Sequence, residues 1–198
     1  MKVEWDEELE LASRRAVDAT LERARRTGLV DVGYSVTDSP VGPLLVASTR
    51  AGLVRLEYLD DGIDDVLEEL AAMVSPRVIE DASRTEPARR QLEAYFEGRT
   101  RRFRTALDWS LAPQGFSRRV LEETAAIPFG SVSTYGDVAK RAGSPRAARA
   151  AGNALHDNPI PIVVPCHRVV PSSGGIGKYG GDEWRKEFLL RLEGALGD

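Results

Sequence analysis

Hydrophobic positions change rhythm twice along the chain, and the changes divide it into three parts. In residues 4–27, Leu9, Ala12, Ala16, Val17, Leu21 and Ala24 recur at three- and four-residue steps, which predicts a helix stopped near Gly28. Its other face is rich in Glu and Arg, as a solvated face is, and no function attaches to it. Alternation takes over in 32–58. Strands are expected from Val32 to Thr37, Leu44 to Ser48 and Leu53 to Tyr58, with Ser39-Pro40-Val41-Gly42-Pro43 and Thr49-Arg50-Ala51-Gly52 as the connections. A helix over 64–73, a short strand near Val78-Ile79, a helix from Pro87 to Phe96 and a last strand from Phe103 to Leu107 complete this part. It reads as a small α+β domain with an antiparallel sheet.

Composition shifts at Ala112-Pro113-Gln114-Gly115, and the rhythm becomes helical again. Ser117 is expected to cap a helix that runs through Ala126 and is ended by Pro128 and Gly130. Thr134 caps a short helix carrying Tyr135, Val138 and Ala139. Gly143-Ser144-Pro145 turns the chain into an Ala-rich helix over 146–155. Two short helices about a Gly-containing turn form the helix-turn-helix pattern. A Pro- and Gly-rich loop spans 157–181, and an amphipathic helix with Trp184, Phe188, Leu189 and Leu192 closes the chain. The expected organisation is a helical extension at 1–30, an α+β domain at 31–111, and at 112–198 a mainly helical domain with a winged helix-turn-helix-like motif.

Composition bounds what such a chain can do. At 198 residues, with 42% hydrophobic and 29% charged residues, it can bury a real core. No run of 18 or more apolar residues is present, and no apolar signal core follows Met1, so no membrane partner and no export are expected; the protein is expected to be cytoplasmic and a monomer. One cysteine cannot form an internal disulfide. With two histidines it also cannot complete a zinc site of Cys and His, so no metal and no cofactor are expected. The net charge of −4 weighs against nucleic acid until its distribution is read. Residues 1–111 balance at −6 and residues 112–198 at +2. Within 138–156, Lys140, Arg141, Arg146 and Arg149 have no acid among them, which is a local basic stripe.

Four features in 112–198 carry candidate chemistry. The first is Pro165-Cys166-His167-Arg168. A thiolate is the nucleophilic form of cysteine, so a reactive Cys needs a base or a nearby cation, which His167 and Arg168 can supply. A structural histidine beside an inert cysteine is the competing reading. The second is a carboxylate to fix the imidazole tautomer. Glu187 on the last helix can reach back, with Asp182 and Glu183 as competitors. The third is the second helix of the helix-turn-helix. Ala147, Ala148, Ala150, Ala151 and Ala154 leave little bulk and Arg149 projects from among them, which suits either a DNA groove or a tightly packed core. The fourth is the run from Ser172 to Gly181, a loop that lets backbone approach a flat ligand or is simply flexible. Lys178 is followed by Tyr179, so it is not a phosphate-binding P-loop.

The segment Asn158-Pro159-Ile160-Pro161-Ile162-Val163-Val164-Pro165-Cys166-His167-Arg168-Val169-Val170 resembles the active-site signature of O6-alkylguanine-DNA alkyltransferases, the methylated-DNA–protein-cysteine methyltransferases. Ile127-Pro128-Phe129-Gly130, Thr134 to Ala139, Ala147 to Ala150, Lys178 to Gly181 and Trp184 to Glu187 resemble further family segments in family order. Ser39 to Leu44 and Gly52 to Leu56 resemble its N-terminal domain, so the likeness spans roughly residues 32–194. It implies a single-turnover repair protein that binds double-stranded DNA carrying O6-alkylguanine, extrudes the base and takes the alkyl group onto Cys166. His167 would act through water as base and Glu187 would orient it. Asn158 would brace the turn, and Tyr135 would donate to the guanine or to a flanking phosphate. Arg149 would fill the gap in the duplex, with Ala148, Ala150, Gly152 and Asn153 facing DNA. Val169, Tyr179, Gly180 and Pro161 would line the base pocket.

The chain departs from the family pattern at Asp182-Glu183, where many relatives carry small or apolar residues, and at Gly180, where some carry serine. The residues that hold zinc in some N-terminal domains are missing. Three other readings compete. An alkyltransferase-like lesion binder does no chemistry, but such proteins lack the cysteine. A sequence-specific regulator would bind DNA without Cys166. A cysteine hydrolase would turn over repeatedly.

Overall fold

A computed structural model describes residues 3–60, 62–179 and 182–196. The chain opens with α1 (Val3–Arg26), a helix that leaves Leu9, Leu11 and Val17 more than half exposed. Its end is fastened where the Leu29 amide donates to the Ala24 carbonyl and Arg50 donates to the Gly28 carbonyl at 2.7 Å.

The first sheet consists of β1 (Val32–Thr37), β2 (Leu44–Ser48), β3 (Leu53–Tyr58) and β4 (Val78–Glu80), in the order β3-β2-β1-β4. The first three strands form the expected antiparallel meander, but β4 joins β1 in parallel. The crossover through α2 (Asp64–Met73) returns the chain to the far edge in the same direction as β1. The period of two in β2 explains how this sheet is covered. Leu44 and Val46 face one apolar cluster with α3, while Leu45 and Ala47 face another with Val32, Val54 and Leu70 of α2. Each fully buried aliphatic side chain of this kind contributes about 1.5–3 kcal/mol.

The helix expected to begin at Pro87 begins at Ala82 instead. The α3 helix (Ala82–Phe96) is capped by Asp81, whose carboxylate accepts from the Ser83 and Arg84 amides. An aspartate cap satisfies orphan amides and outweighs the preference of proline for the first turn. The strand expected over 103–107 is reduced to a single bridge. Leu53 donates to Ala106 and Asp108 donates back to Leu53, both at 2.8 Å. Gly52 makes that bridge possible. At φ +148° it lets the chain pass so close that a Cβ would lie 2.2 Å from the Ala106 carbonyl oxygen. Gly52→Ala is therefore expected to destabilise the fold by more than the ~1 kcal/mol of an unstrained glycine substitution, read as a lower denaturant midpoint at unchanged slope.

Beyond the connection lie α4 (Phe116–Ala125), β5 (Ser133–Thr134), α5 (Tyr135–Arg141), α6 (Ala148–His156), a 3-10 turn (Cys166–Arg168), β6 (Val169–Val170) and α7 (Glu183–Leu192). Helix α4 starts one residue before Ser117, which provides no cap; Gly115 stands at that position with φ +71°. Thr134 caps α5 as expected, accepting from the Asp137 amide at 3.1 Å. Strands β5 and β6 pair in parallel, which brings the residues just before α5 beside those just after Cys166. One apolar cluster runs unbroken from Leu44 and Leu56 of the sheet to Val120, Ala151, Val164 and Leu189. The Leu56 amide also donates to the Pro159 carbonyl, tying edge strand β3 to the loop that leads into Cys166. Among the described residues no helix is long and apolar enough to cross a membrane.

Candidate active site

The loop from Asn158 to Pro165 sets the position of the cysteine. The Asn158 side-chain oxygen Oδ1 accepts from the Ile160 amide at 3.1 Å, while its side-chain nitrogen donates to the Val164 carbonyl at 2.9 Å and to Cys166 Sγ at 3.2 Å. One side chain thus braces the turn and addresses the sulfur. Ile162, fully buried, sits at φ +69°, a conformation that costs a β-branched residue about 1–3 kcal/mol and persists only where the surroundings enforce it. Val164 donating to Ile160 and Cys166 donating to Val164 provide that enforcement.

Cys166 is 8% exposed, and it lines a groove of about 920 Å³ together with Tyr135, Asn158, Pro161 and Tyr179. Burial pushes the thiol pKa up, while hydrogen bonds from Asn158 and Tyr179 and the charge of Lys186 pull it back, with a net rise. The resting group is therefore a neutral thiol that needs a base. His167 is fully buried, and burial lowers its pKa despite the opposing pull of Glu193. It is a neutral imidazole. Its Nε2 lies 3.0 Å from Glu193 Oε1, which fixes Nε2–H as donor and leaves Nδ1 as a buried acceptor with no partner among the described residues.

The expected carboxylate, Glu187, is not the partner. Its side chain is 45% exposed and pairs with Arg191 one turn later. Residue 187 lies about 100° around α7 from the buried face of Lys186, Leu189 and Leu190, whereas Glu193 continues that face just past the helix end. Glu193 accepts from His167, from Arg168 Nε and Nη2 at 2.9 Å each, and from Tyr95 at 2.7 Å. Burial pushes its pKa up, but the hydrogen bonds from His167 and Arg168 and the Arg168 charge prevail and hold it well below the carboxylate range, at about 2. The competitors are also occupied elsewhere: Asp182 pairs with Arg185, and Glu183 is exposed. Arg168, expected beside the thiol, is committed to Glu193 and the Ile127 carbonyl. The cation that acts on the sulfur is Lys186, which also donates to the Val169 carbonyl at 2.6 Å and which burial brings down to about 8.

The helix-turn-helix frames the groove. Ala151, Ala154 and Leu155 of α6 face the core, while Arg149, Ala150 and Asn153 are exposed and Ala148 is half-buried. Arg149 makes no hydrogen bond or ion pair with the described residues. Gly152, expected to face DNA, lines the groove and lies against the Tyr135 ring. Gly177 at φ +73° bends the glycine-rich loop tightly over Pro171 near the Tyr135 hydroxyl. Val169, expected to line the base pocket, is fully buried, and its carbonyl accepts from Lys186. Gly180 lies outside the described residues.

A cysteine with an imidazole–carboxylate pair behind it, set beside an exposed basic helix, defines a class: proteins that bring a nucleophilic thiol to DNA. Comparison with known proteins narrows it. Residues 32–109 match the family described as 6-O-methylguanine DNA methyltransferase, ribonuclease-like domain, and residues 115–195 match its DNA binding domain. The methylated-DNA–protein-cysteine methyltransferase of Methanosarcina acetivorans is 38% identical, covering 82% of this chain and 98% of its own. That of Mycobacterium bovis is 39% identical, covering 82% and 92%. The crystal structure of the Mycobacterium tuberculosis O6-methylguanine methyltransferase superposes with a TM-score of 0.72 at 37% identity, covering 84% of this chain and 95% of that one. The complex of the same organism's protein with DNA gives 0.70 at 38% identity, covering 82% and 92%. The chain belongs to the 6-O-methylguanine DNA methyltransferase family.

Proposed function

We propose that this protein repairs DNA by moving an alkyl group from O6-alkylguanine, and from O4-alkylthymine, onto its own Cys166, once per molecule. The observation that carries this reading is the lone thiol, held by Asn158 on the wall of an open groove and followed in sequence by a neutral imidazole clamped by Glu193. The reaction is an in-line displacement. The thiol proton passes through one water to His167 Nδ1, the sulfur attacks the alkyl carbon, and the carbon–O6 bond breaks. Glu193 stabilises the imidazolium so formed. The departing guanine takes up a proton, and we assign its donation to the hydroxyl of Tyr135, a residue of the groove wall. The product thioether has no acidic proton and no good leaving group, so turnover stops.

The partner is double-stranded DNA, and the protein acts as a monomer. An alkylated base inside a duplex is out of reach of a recessed sulfur, so the base leaves the stack. Exposed Arg149 enters the space it vacates, while Ala148, Ala150 and Asn153 let α6 approach the groove closely. Pro161, Tyr179 and the backbone of Val169 receive the base. We assign the chemistry to residues 112–198, with 31–111 as the supporting domain and 1–30 as an extension outside it. A reducing cytoplasm suits a protein that depends on a free thiol.

The presence of Cys166 disfavours a lesion binder without chemistry. Stoichiometry tests the reading. Incubated with a duplex containing O6-methylguanine, the protein should consume one lesion per molecule and then stop. Continued turnover, or no loss of lesions, would refute it.

A further inference from the structure

We propose that Tyr58, on the edge strand of the first sheet, is a positioning residue for this transfer: its hydroxyl holds that of Tyr179 as a donor to the Cys166 sulfur. The inference rests on the functional reading above, since it concerns the same thiol. The two phenol oxygens lie 3.0 Å apart, and the Tyr179 oxygen lies 4.0 Å from Sγ. In the resting state the thiol donates across that second contact to the Tyr179 oxygen; once the sulfur is ionised the bond reverses, and Tyr179 donates to it. Burial raises the pKa of both phenols, so both are proton donors at neutral pH and neither is an acid or base for the reaction.

Only one ordering of the two hydroxyl protons serves a thiolate. If Tyr179 donates to Tyr58, the sulfur faces an oxygen lone pair. If Tyr58 donates to Tyr179, the Tyr179 proton is free for the sulfur and is polarised by the bond behind it. The position of Tyr58 is fixed from three sides. Leu56, two residues earlier, is bonded to Pro159 of the cysteine loop. The Tyr179 ring packs edge-on against the Tyr58 ring. The Arg185 guanidinium stacks over the Tyr58 ring at 4.4 Å, and it is itself anchored by the Val41 carbonyl, by Asp60 through two bonds of 2.6 Å, and by Asp182. A cation over the ring makes the phenol a stronger donor. The sheet therefore reaches the reacting sulfur through a single hydroxyl. Asn158 and Lys186 of α7 also act on the thiol, and the hydrogen bonds of Asn158 and Lys186 go to other partners than Tyr58, whose hydroxyl bonds to Tyr179.

Tyr58→Phe removes the hydroxyl and keeps the ring beneath Arg185. Two rates read its effect in the intact protein: alkylation of Cys166 by iodoacetamide across pH, and single-turnover transfer from free O6-benzylguanine. In the variant, the midpoint of the iodoacetamide profile should move upward by about half a pH unit to one, and benzyl transfer at pH 7 should slow about threefold to tenfold. In a Tyr179→Phe background, adding Tyr58→Phe should change neither. Superimposable pH profiles for wild type and Tyr58→Phe would overturn the proposal, as would an undiminished effect in the Tyr179→Phe background. The iodoacetamide arm decides the role of Tyr58 even if the wild-type protein transfers no benzyl group, a result that would count against the functional reading alone.

Discussion

Glu193→Ala should cost about 3–5 kcal/mol of stability and abolish transfer, while Glu187→Ala should change stability by less than ~0.5 kcal/mol and leave transfer intact. The contrast follows from where the two carboxylates lie. Glu193 is buried and takes hydrogen bonds from His167, Arg168 and Tyr95. Removing it strands the Arg168 guanidinium in the interior without its counter-charge, and an uncompensated buried charge is what makes such losses large. Against a typical net stability of about 5–15 kcal/mol, that is a substantial fraction. Glu187 makes a half-exposed pair with Arg191 at a spacing of one turn, the kind of pair worth a few tenths of a kcal/mol. Glu193→Gln separates the two roles of the residue. It keeps the volume and one acceptor but not the charge, so His167 loses the partner that stabilises its protonated form. Transfer from free benzylguanine should then fall more steeply than stability does. Denaturant unfolding and single-turnover rates on the three variants make the comparison.

Arg149→Ala should slow repair of O6-methylguanine in duplex DNA by about tenfold to a hundredfold, and should leave transfer from free O6-benzylguanine near wild type. Extruding a base costs a few kcal/mol, and each ~1.4 kcal/mol left unrecovered is a factor of ten. Arg149 is exposed and has no partner among the described residues, so its loss disturbs no internal contact. It is also distant in role from the thiol, on which Asn158, Tyr179 and Lys186 act. A free base needs no extrusion. Equal losses on both substrates would place Arg149 in the chemistry instead and would contradict the extrusion role.

How much of this was legible in the sequence depends on the range of the forces involved. Short-range periodicity placed β1, β2, β3 and α2 at the bounds observed, because alternation and the 3.6-residue repeat are local properties of the backbone. The Thr134 cap was legible for the same reason. The start of α3 differs from the one that Pro87 suggests because Asp81, immediately before Ala82, caps the helix, and an aspartate at that position is itself a local signal. The parallel placement of β4 was not legible, since pairing partners far apart in sequence leave no local mark. The site divides in the same way. Cys166 and His167 were legible as a pair in the sequence, and Asn158 and Tyr135 only through the resemblance to the family. Glu193 was not legible, because it stands beyond the segment that carries the family resemblance to α7, at Trp184 to Glu187. The register of α7 held the clue: stepping from Lys186 through Leu189 and Leu190 at intervals of three and four reaches Glu193 and skips Glu187. Lys186, given no role from the sequence, takes the place expected of Arg168 beside the thiol, since only the folded chain decides which cation turns toward the sulfur.

The central claim is that a carbon–sulfur bond forms at Cys166. The most direct measurement is the mass of the intact protein and of its Cys166 peptide after exposure to duplex DNA containing O6-methylguanine. The account predicts a gain of about 14 Da, one methyl group, located on Cys166 and absent from Cys166→Ala. An unchanged mass with the lesions intact, or a methyl group carried by any other residue, would contradict it.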